Sequence, residues 1–167
     1  MVADTTTLDF LNQQFGEFEV SEFRGQTRVL VPAAQIHGVL KALHAERNFK
    51  MLADISCVDY LAWRDEMPGR FGLVYLLTNI DKNERITLRV FLDEPDLVVP
   101  SATDIWEGAN WLEREVWDLF GIRFDGHPDH RRIVLPEGFA SHPLRKDYPL
   151  QGRGERHNFP VVQRESS

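Results

Sequence analysis

Cysteine is nearly missing from this chain: Cys57 is the only one in 167 residues. That rules out an internal disulfide, and it rules out an iron–sulfur cluster or a Cys-rich zinc site built by this chain alone. A reducing compartment is the simplest home for such a composition. Long apolar runs are missing too. The most hydrophobic stretch, FGLVYLLTNI at 71–80, falls far short of the roughly 20 residues a membrane helix needs, and MVADTTTLDF at the start has no basic segment followed by an apolar one. Neither a span nor a signal peptide is expected. No Gly-rich phosphate loop, dinucleotide fingerprint, His-x-x-x-His pair or Ser-His-Asp order occurs. Nucleotide binding and nucleophilic catalysis therefore find no foothold. Gly152 and Gly154 in QGRGER are a lone short pair in a loop. No internal repeat or low-complexity tract is visible.

Positive charge is scarce over most of the chain. Residues 1–120 hold 11 Lys/Arg against 20 Asp/Glu, net −9, whereas 121–167 hold 8 against 6, net +2, for a total of −7. An acidic body argues against wholesale nucleic-acid binding, which needs clustered cations. What is present is an ordinary globular composition, 43% hydrophobic and 27% charged, long enough for one domain with a core of its own.

The pattern along the chain predicts a short first helix in TTTLDFLNQQFGEF, with Leu8, Leu11 and Phe15 at helical spacing and Gly16 as its stop. FEVSEF and TRVLV follow as extended segments. PAAQIHGVLKALHAERNF then reads as a helix, with Pro32 in its first turn and Ile36, Val39, Leu40 and Leu43 on one apolar stripe. Three strand candidates come next: MLADISCVDYLAW, RFGLVYLLTNI and RITLRVFL, the last two forming a hairpin across DKNE. Grouped strands with few helices predict an α+β fold, a mostly antiparallel sheet with helices packed on one face. The chain divides into an α+β body, 1–120, and an extended arm, 121–167. The arm holds five prolines and five glycines and no sustained helical or strand period.

WLEREVWDLFG at 111–121 is the stretch with most to explain. Ser101, Thr103 or Asp104 is available to cap the helix, and Gly108 should interrupt its first turn. At about 100° per residue the large apolar groups cover some two-thirds of the circumference, and Glu113 and Glu115 fall inside that arc. Arg114 and Asp118 share a polar side one turn apart, where they can pair facing water. A carboxylate among large apolar groups must find a partner or a proton. Arg123, Arg131, Arg132, Arg145 and Lys146 are near in sequence. The expectation is therefore that the basic arm folds back, or a second subunit supplies Arg or Lys, to neutralise both glutamates; the alternative is partly exposed glutamates that snorkel to water. The two glutamates diverge by about 160° on the helix, which argues against a catalytic carboxylate pair.

GHPDHRR at 126–132 and SHPLRKDYP at 141–149 offer His127, Asp129, His130 and His142, ligand types that zinc or iron accepts. Pro128 breaks the first pair, and the simpler reading has each His-Pro fixing a turn while the imidazole satisfies a backbone carbonyl. Leu135, Pro136, Phe139, Leu144, Tyr148, Pro149, Leu150 and Phe159 cannot form a core within so irregular a segment. They should cover either their own domain or another protein, as a strap stiffened by proline. Protease sensitivity of 121–167 that disappears on assembly is the expected signature.

EREVWDLFGIRFDGHPDHRRI followed by HPLRKDYPL resembles the signature of the 30-kilodalton subunit, also called the C subunit, of respiratory complex I, the proton-pumping NADH:quinone oxidoreductase. The likeness is strongest over about 105–152; the family usually has Glu-Gly where Ala140 and Ser141 stand, and an apolar residue where His130 stands. The resemblance implies a cofactor-free accessory subunit of the peripheral arm, with NADH, FMN, iron–sulfur clusters and quinone held elsewhere in the complex. It implies a seat on the large, D-type quinone-site subunit and among other peripheral-arm subunits. The location implied is the cytoplasmic face of the inner membrane, reached through those subunits and without a span of its own. The chain should not be the fused form in which the C and D subunits share a polypeptide. The motif positions implied as interface or structural residues are Glu113, Arg114, Glu115, Asp118, Gly121, His127, Pro128, Arg131, Arg132, His142, Pro143, Leu144, Arg145, Lys146, Asp147, Tyr148 and Pro149. Membrane-bound hydrogenase and formate-hydrogenlyase assemblies related to complex I contain a similar module and are the nearest alternative. A small metal-dependent hydrolase built on His127, Asp129 and His142 is a more distant one.

Overall fold

The computed structural model describes residues 5–158. The first helix, α1 (Thr5–Phe15), ends where foreseen: Gly16 turns left-handed at φ +94° and its N–H donates to the Asn12 carbonyl at 3.1 Å. Strands β1 (Glu19–Phe23) and β2 (Gln26–Leu30) form a hairpin around Arg24 and Gly25, both at positive φ. That is the backbone a tight two-residue turn demands. A 3₁₀ turn at Ala33–Gln35 opens α2 (Ile36–Glu46), whose buried Ile36, Val39, Leu40 and Leu43 are the expected stripe.

The chain then crosses to β3 (Met51–Asp59) and meanders through β4 (Phe71–Asn79) and β5 (Glu84–Leu92). The sheet order is β1-β2-β5-β4-β3. Most pairings are antiparallel, but β2 and β5 run parallel, because the crossover through α2 places β3 at the far edge and the meander returns β5 to β2. In β4 and β5, burial alternates with the strand period, so Leu73, Tyr75, Leu77, Ile86, Leu88 and Val90 point into the core while Val74, Leu76 and Arg89 point to the other face. Helices cover only the core face of this α+β sheet.

A second, smaller unit follows. Strand β6 (Val98–Pro100) leads through a turn into α3 (Ala109–Phe120), which lies against β3, and β7 (Arg123–Asp125) returns to pair in parallel with β6. This strand lies where no strand period was expected, since three residues are too few to show one; Phe124 on it and Ile122 just before it enter the core. No expected cap binds the N-terminus of α3. Gly108 stands at the N-cap and makes no side-chain bond, while Ser101 and Asp104 are engaged elsewhere. From 126 onward the backbone is irregular until a short 3₁₀ turn at Glu155–Asn158. No helix among the described residues is long and apolar enough to cross a membrane.

Tyr75 is fully buried and its hydroxyl has no hydrogen-bond partner among the described residues. An unpaired buried hydroxyl costs stability, so Tyr75→Phe should raise stability by about 1 kcal/mol, or roughly 2–4 °C in Tm. Thermal unfolding followed by circular dichroism checks this; a clear loss of stability would mean that the hydroxyl is satisfied.

Candidate functional site

Helix α3 is oriented differently from the wheel's reading. Glu113 is buried as expected, but Glu115 is exposed, and Arg114 and Asp118, read as a solvated pair, are buried as well. Trp111, assigned to the apolar arc, is 62% exposed. The physical reason is the arm. Residues 127–147 come back over the polar side of α3, so groups chosen for water are instead enclosed by backbone and arginine from the same chain.

Asp118 shows how complete that enclosure is. Its Oδ2 accepts the N–H groups of Ile133, Val134 and Leu135 at 2.9–3.0 Å, and its Oδ1 takes the Arg132 guanidinium. Burial alone would raise its pKa, but the amides of Leu135 and Val134, Arg132 and the Ile133 amide together hold it below the usual carboxylate range. Three successive amides aimed at one oxygen form an anion nest, here filled by the protein's own carboxylate. Arg114 is satisfied separately: its Nε donates to the Arg131 carbonyl at 2.9 Å and its guanidinium lies over Trp111.

The last carbonyls of a helix need donors from outside it. In α3 the arm supplies them. The Gly121 N–H donates to Trp117 O at 2.8 Å, His142 Nδ1 to Asp118 O at 2.9 Å, the Leu144 N–H to Leu119 O at 3.2 Å, and Arg145 Nε to Phe120 O at 2.6 Å. Cationic groups at this end also complement the helix dipole. Gly121 is required twice over: it sits at φ +79°, and a Cβ there would come within 2.7 Å of the His142 ring and 2.8 Å of Arg145.

Glu113 finds partners other than the arginines expected. Its Oε2 accepts from Ser101 Oγ at 2.7 Å and its Oε1 from the Ala102 N–H at 2.6 Å, which ties α3 to the turn before it. The nearest basic side chain is His127, with Nε2 4.0 Å away. Burial without an adjacent permanent cation pushes the Glu113 pKa up to about 7, with the Ala102 and Ser101 hydrogen bonds acting against the rise.

The second motif block is anchored to the end of the sheet by residues not foreseen. Arg70, immediately before β4, contacts Asp59 at 3.1 Å, Glu94 at 2.9 Å and Asp147 at 2.9 Å, and Arg145 reaches Glu94 at 2.8 Å. The Lys146 N–H donates to Asp59 Oδ2 at 2.8 Å, leaving the Lys146 residue exposed. Burial would raise the Asp59 pKa, but Arg70 and the Lys146 and Leu61 amides bring it below the usual range. A charged residue at the inner end of an apolar strand was the available signal for Asp59 and Arg70. Tyr148 stacks on Phe139, Pro143 is half-buried, and Pro128 and Pro149 are exposed at turns.

The histidines behave as the turn reading expects. His127 Nε2 contacts Asn110 O at 3.2 Å while its Nδ1 accepts from the Asp129 N–H at 2.9 Å, and His142 serves the α3 terminus. His127, Asp129 and His142 are not gathered into a ligand set, and no metal-capable group of three or more His, Cys, Asp or Glu occurs among the described residues.

Outside this enclosed region lies an open cavity of about 480 Å³ lined by Trp111, Arg114, Trp117, His130, Arg131, Arg132 and Glu137. Arg131 is 80% exposed beside Asp129, and His130 packs against Trp117. Val134, Leu144 and Leu150 remain exposed on the arm, so the arm's apolar groups are only partly used by its own body; Phe159 lies outside the described residues.

Two substitutions test this enclosure. The native state binds the Glu113 proton more tightly than the unfolded chain does, so stability should fall as pH rises from about 4.5 to about 7, by on the order of 3 kcal/mol. Glu113→Gln should flatten that decline, measured by urea unfolding across pH. Asp118 works in the opposite sense: its contribution is present above its ordinary value of 3.8 and is lost as pH falls through its lowered pKa. Asp118→Asn at pH 7 should cost about 3 kcal/mol because it strands Arg132 and weakens the nest; a change near zero would contradict the enclosure.

Comparison with known proteins accords with this architecture. The family model described as "Respiratory-chain NADH dehydrogenase, 30 Kd subunit" matches residues 29–154. The C subunit of NADH-quinone oxidoreductase from Trichlorobacter lovleyi is 48% identical over 136 residues, 81% of this chain and 82% of that protein. The C/D subunit of NADH-quinone oxidoreductase from Nitrosospira multiformis is 46% identical over 122 residues, 70% of this chain but 20% of that longer protein. Among solved structures, a trypsin-resistant fragment of Nqo5 superposes with a TM-score of 0.64 at 38% identity, covering 67% of this chain and 89% of the fragment. The chain thus belongs to the 30-kilodalton family of respiratory-chain NADH dehydrogenases, that of the C subunit of NADH-quinone oxidoreductase.

Proposed function

We propose that this chain docks onto the large, D-type quinone-site subunit in the peripheral arm of a proton-pumping NADH:quinone oxidoreductase and supports its assembly. It reaches the cytoplasmic face of the membrane through that contact and carries no electron itself. The observation that carries this reading is the surface formed by α3 and the arm. Its inner side is consumed in capping α3, while its outer side presents Trp111, Trp117 and Arg131 around an open cavity, and the arm leaves Val134 and Leu144 exposed. Partly exposed tryptophan and arginine around a rigid support are the residues that dominate binding energy at protein interfaces. The Nitrosospira multiformis relative joins C and D in one polypeptide by its name, which supports a D-type neighbour. The solved relative obtained as a trypsin-resistant fragment agrees with a body that is stable by itself.

In this reading the 121–167 arm has two jobs. His142, Arg145 and Asp147 fasten it to the body, and Trp111, Arg131 and Leu144 face the partner. Glu115, exposed on the next turn of α3, belongs to the same outer rim.

Trp111→Ala should lower co-purification of the D-type subunit with the tagged chain by about tenfold or more, while the isolated chain melts within a degree or so of wild type because Trp111 is mostly outside the core. Ile80→Ser, at another exposed apolar residue far from α3 in sequence, serves as control and should leave assembly intact. Undiminished capture by Trp111→Ala would remove α3 from the interface.

A further inference from the structure

The face of the large sheet opposite the helices is uncovered among the described residues, and its chemistry differs from the rest of this acidic chain. Val74 and Leu76 of β4 form an apolar floor, and Arg28 of β2 and Arg89 of β5 stand over it. Tyr60 and Trp63, from the connection between β3 and β4, wall one side of the resulting pocket of about 370 Å³. Trp63 is 60% exposed and Phe23, on the adjoining hairpin, 49%.

The two guanidiniums are held by aromatic groups and not by acidic ones. Arg70, Arg114, Arg131, Arg132 and Arg145 each face a carboxylate within this chain. Arg28 and Arg89 form no such pair among the described residues. Arg28 lies over the Phe23 ring at 4.4 Å; Arg89 lies over Phe91 at 4.9 Å and donates to Tyr60 Oη at 2.8 Å. By strand register the carboxylates sharing this face, Glu19 and Asp54, are on the two outermost strands, β1 and β3. Aromatic contacts hold both guanidiniums in place and leave their charge uncompensated. A chain of net −7 that keeps two cations unpaired at the centre of an apolar, aromatic face is matched to a negatively charged group arriving from outside.

We infer that this open sheet face is a second docking surface, which receives a carboxylate-bearing segment of another subunit between Arg28 and Arg89. The partner residue is an Asp or Glu, flanked by an apolar or aromatic side chain that packs on Val74, Leu76 and Trp63. The pocket is shallow and suits side chains inserted from a passing segment rather than a whole folded element. Because this face and the α3–arm surface lie on opposite sides of the sheet, the protein would bridge two neighbours.

Gln26 lines the pocket and is exposed, so a photo-crosslinking amino acid can replace it in the tagged full-length chain within the assembled complex. The same probe at Trp111 reports on the first surface independently. Crosslinking followed by peptide mass spectrometry should join position 26 to an Asp- or Glu-containing segment of a different subunit. Arg28→Glu should reduce that crosslink at least tenfold, Arg28→Gln should reduce it less, Arg28→Lys should largely keep it, and Lys41→Glu on α2 should leave it unchanged. Should Arg28→Glu lower the melting temperature of the isolated chain, the Gln and Lys variants decide the matter. A silent position 26 beside a productive position 111 overturns this inference and spares the proposed function; silence at 111 with capture at 26 does the reverse. Crosslinks from position 26 only to lipid, to a second copy of the chain, or to a segment without carboxylates also overturn it.

Discussion

The unfinished end of α3 is the constraint on which the rest of this structure depends. A helix that stops at Phe120 exposes its last carbonyls, and this one also carries a buried carboxylate on its final turn. Both demands are met by one stretch of chain. His142, Leu144 and Arg145 donate to the carbonyls, and Arg132 with the amides of 133–135 surrounds Asp118. Each bond is modest in net energy, but leaving any of these buried groups unpaired would cost more than the bond returns. The arm's path over the body follows from that requirement.

The docking proposed above relies on the same arrangement at the outer surface. Arginines on the inner side are committed to carbonyls and carboxylates of their own chain, so they are rigid and already desolvated. Trp111, Trp117 and Arg131 rest on that support, and ordering them on contact with a partner costs less conformational entropy than ordering groups on a loose strand. Arg70 has the matching role at the end of the sheet, joining Asp59, Glu94 and Asp147 into a clasp that holds the second motif block against β3 and β4.

Burial of Glu113 follows a different logic from that of Asp118, although both lie on one helix. Asp118 is met by a cation and three amides and stays ionised; Glu113 is met by a hydroxyl and one amide, with only His127 at the margin, and its proton affinity rises. Two carboxylates five residues apart are thereby set on opposite sides of their ordinary titration range by what surrounds them.

The apolar alternation of β5, the apolar stripe of α2 and the Gly16 stop of α1 could be read directly, because each depends on local periodicity or on one backbone conformation. Burial of Glu113 was legible for the same reason, as a carboxylate inside an apolar arc. The parallel pairing of β2 with β5 was not, since it depends on where a crossover lands, and three-residue β7 has too few residues to carry a period. The exposure of Glu115 and Trp111, the burial of Arg114 and the partners of Glu113 were beyond reach as well. A helical wheel ranks faces by polarity, and it has no means of knowing that residues 127–147 will return to cover the polar one. The primary structure by itself determined which of the longer segments become strands and helices and which blocks mark the family; the tertiary structure decided how the charges of α3 other than Glu113 lie and what each buried one meets, because a buried ion is stable only beside partners that distant parts of the chain supply.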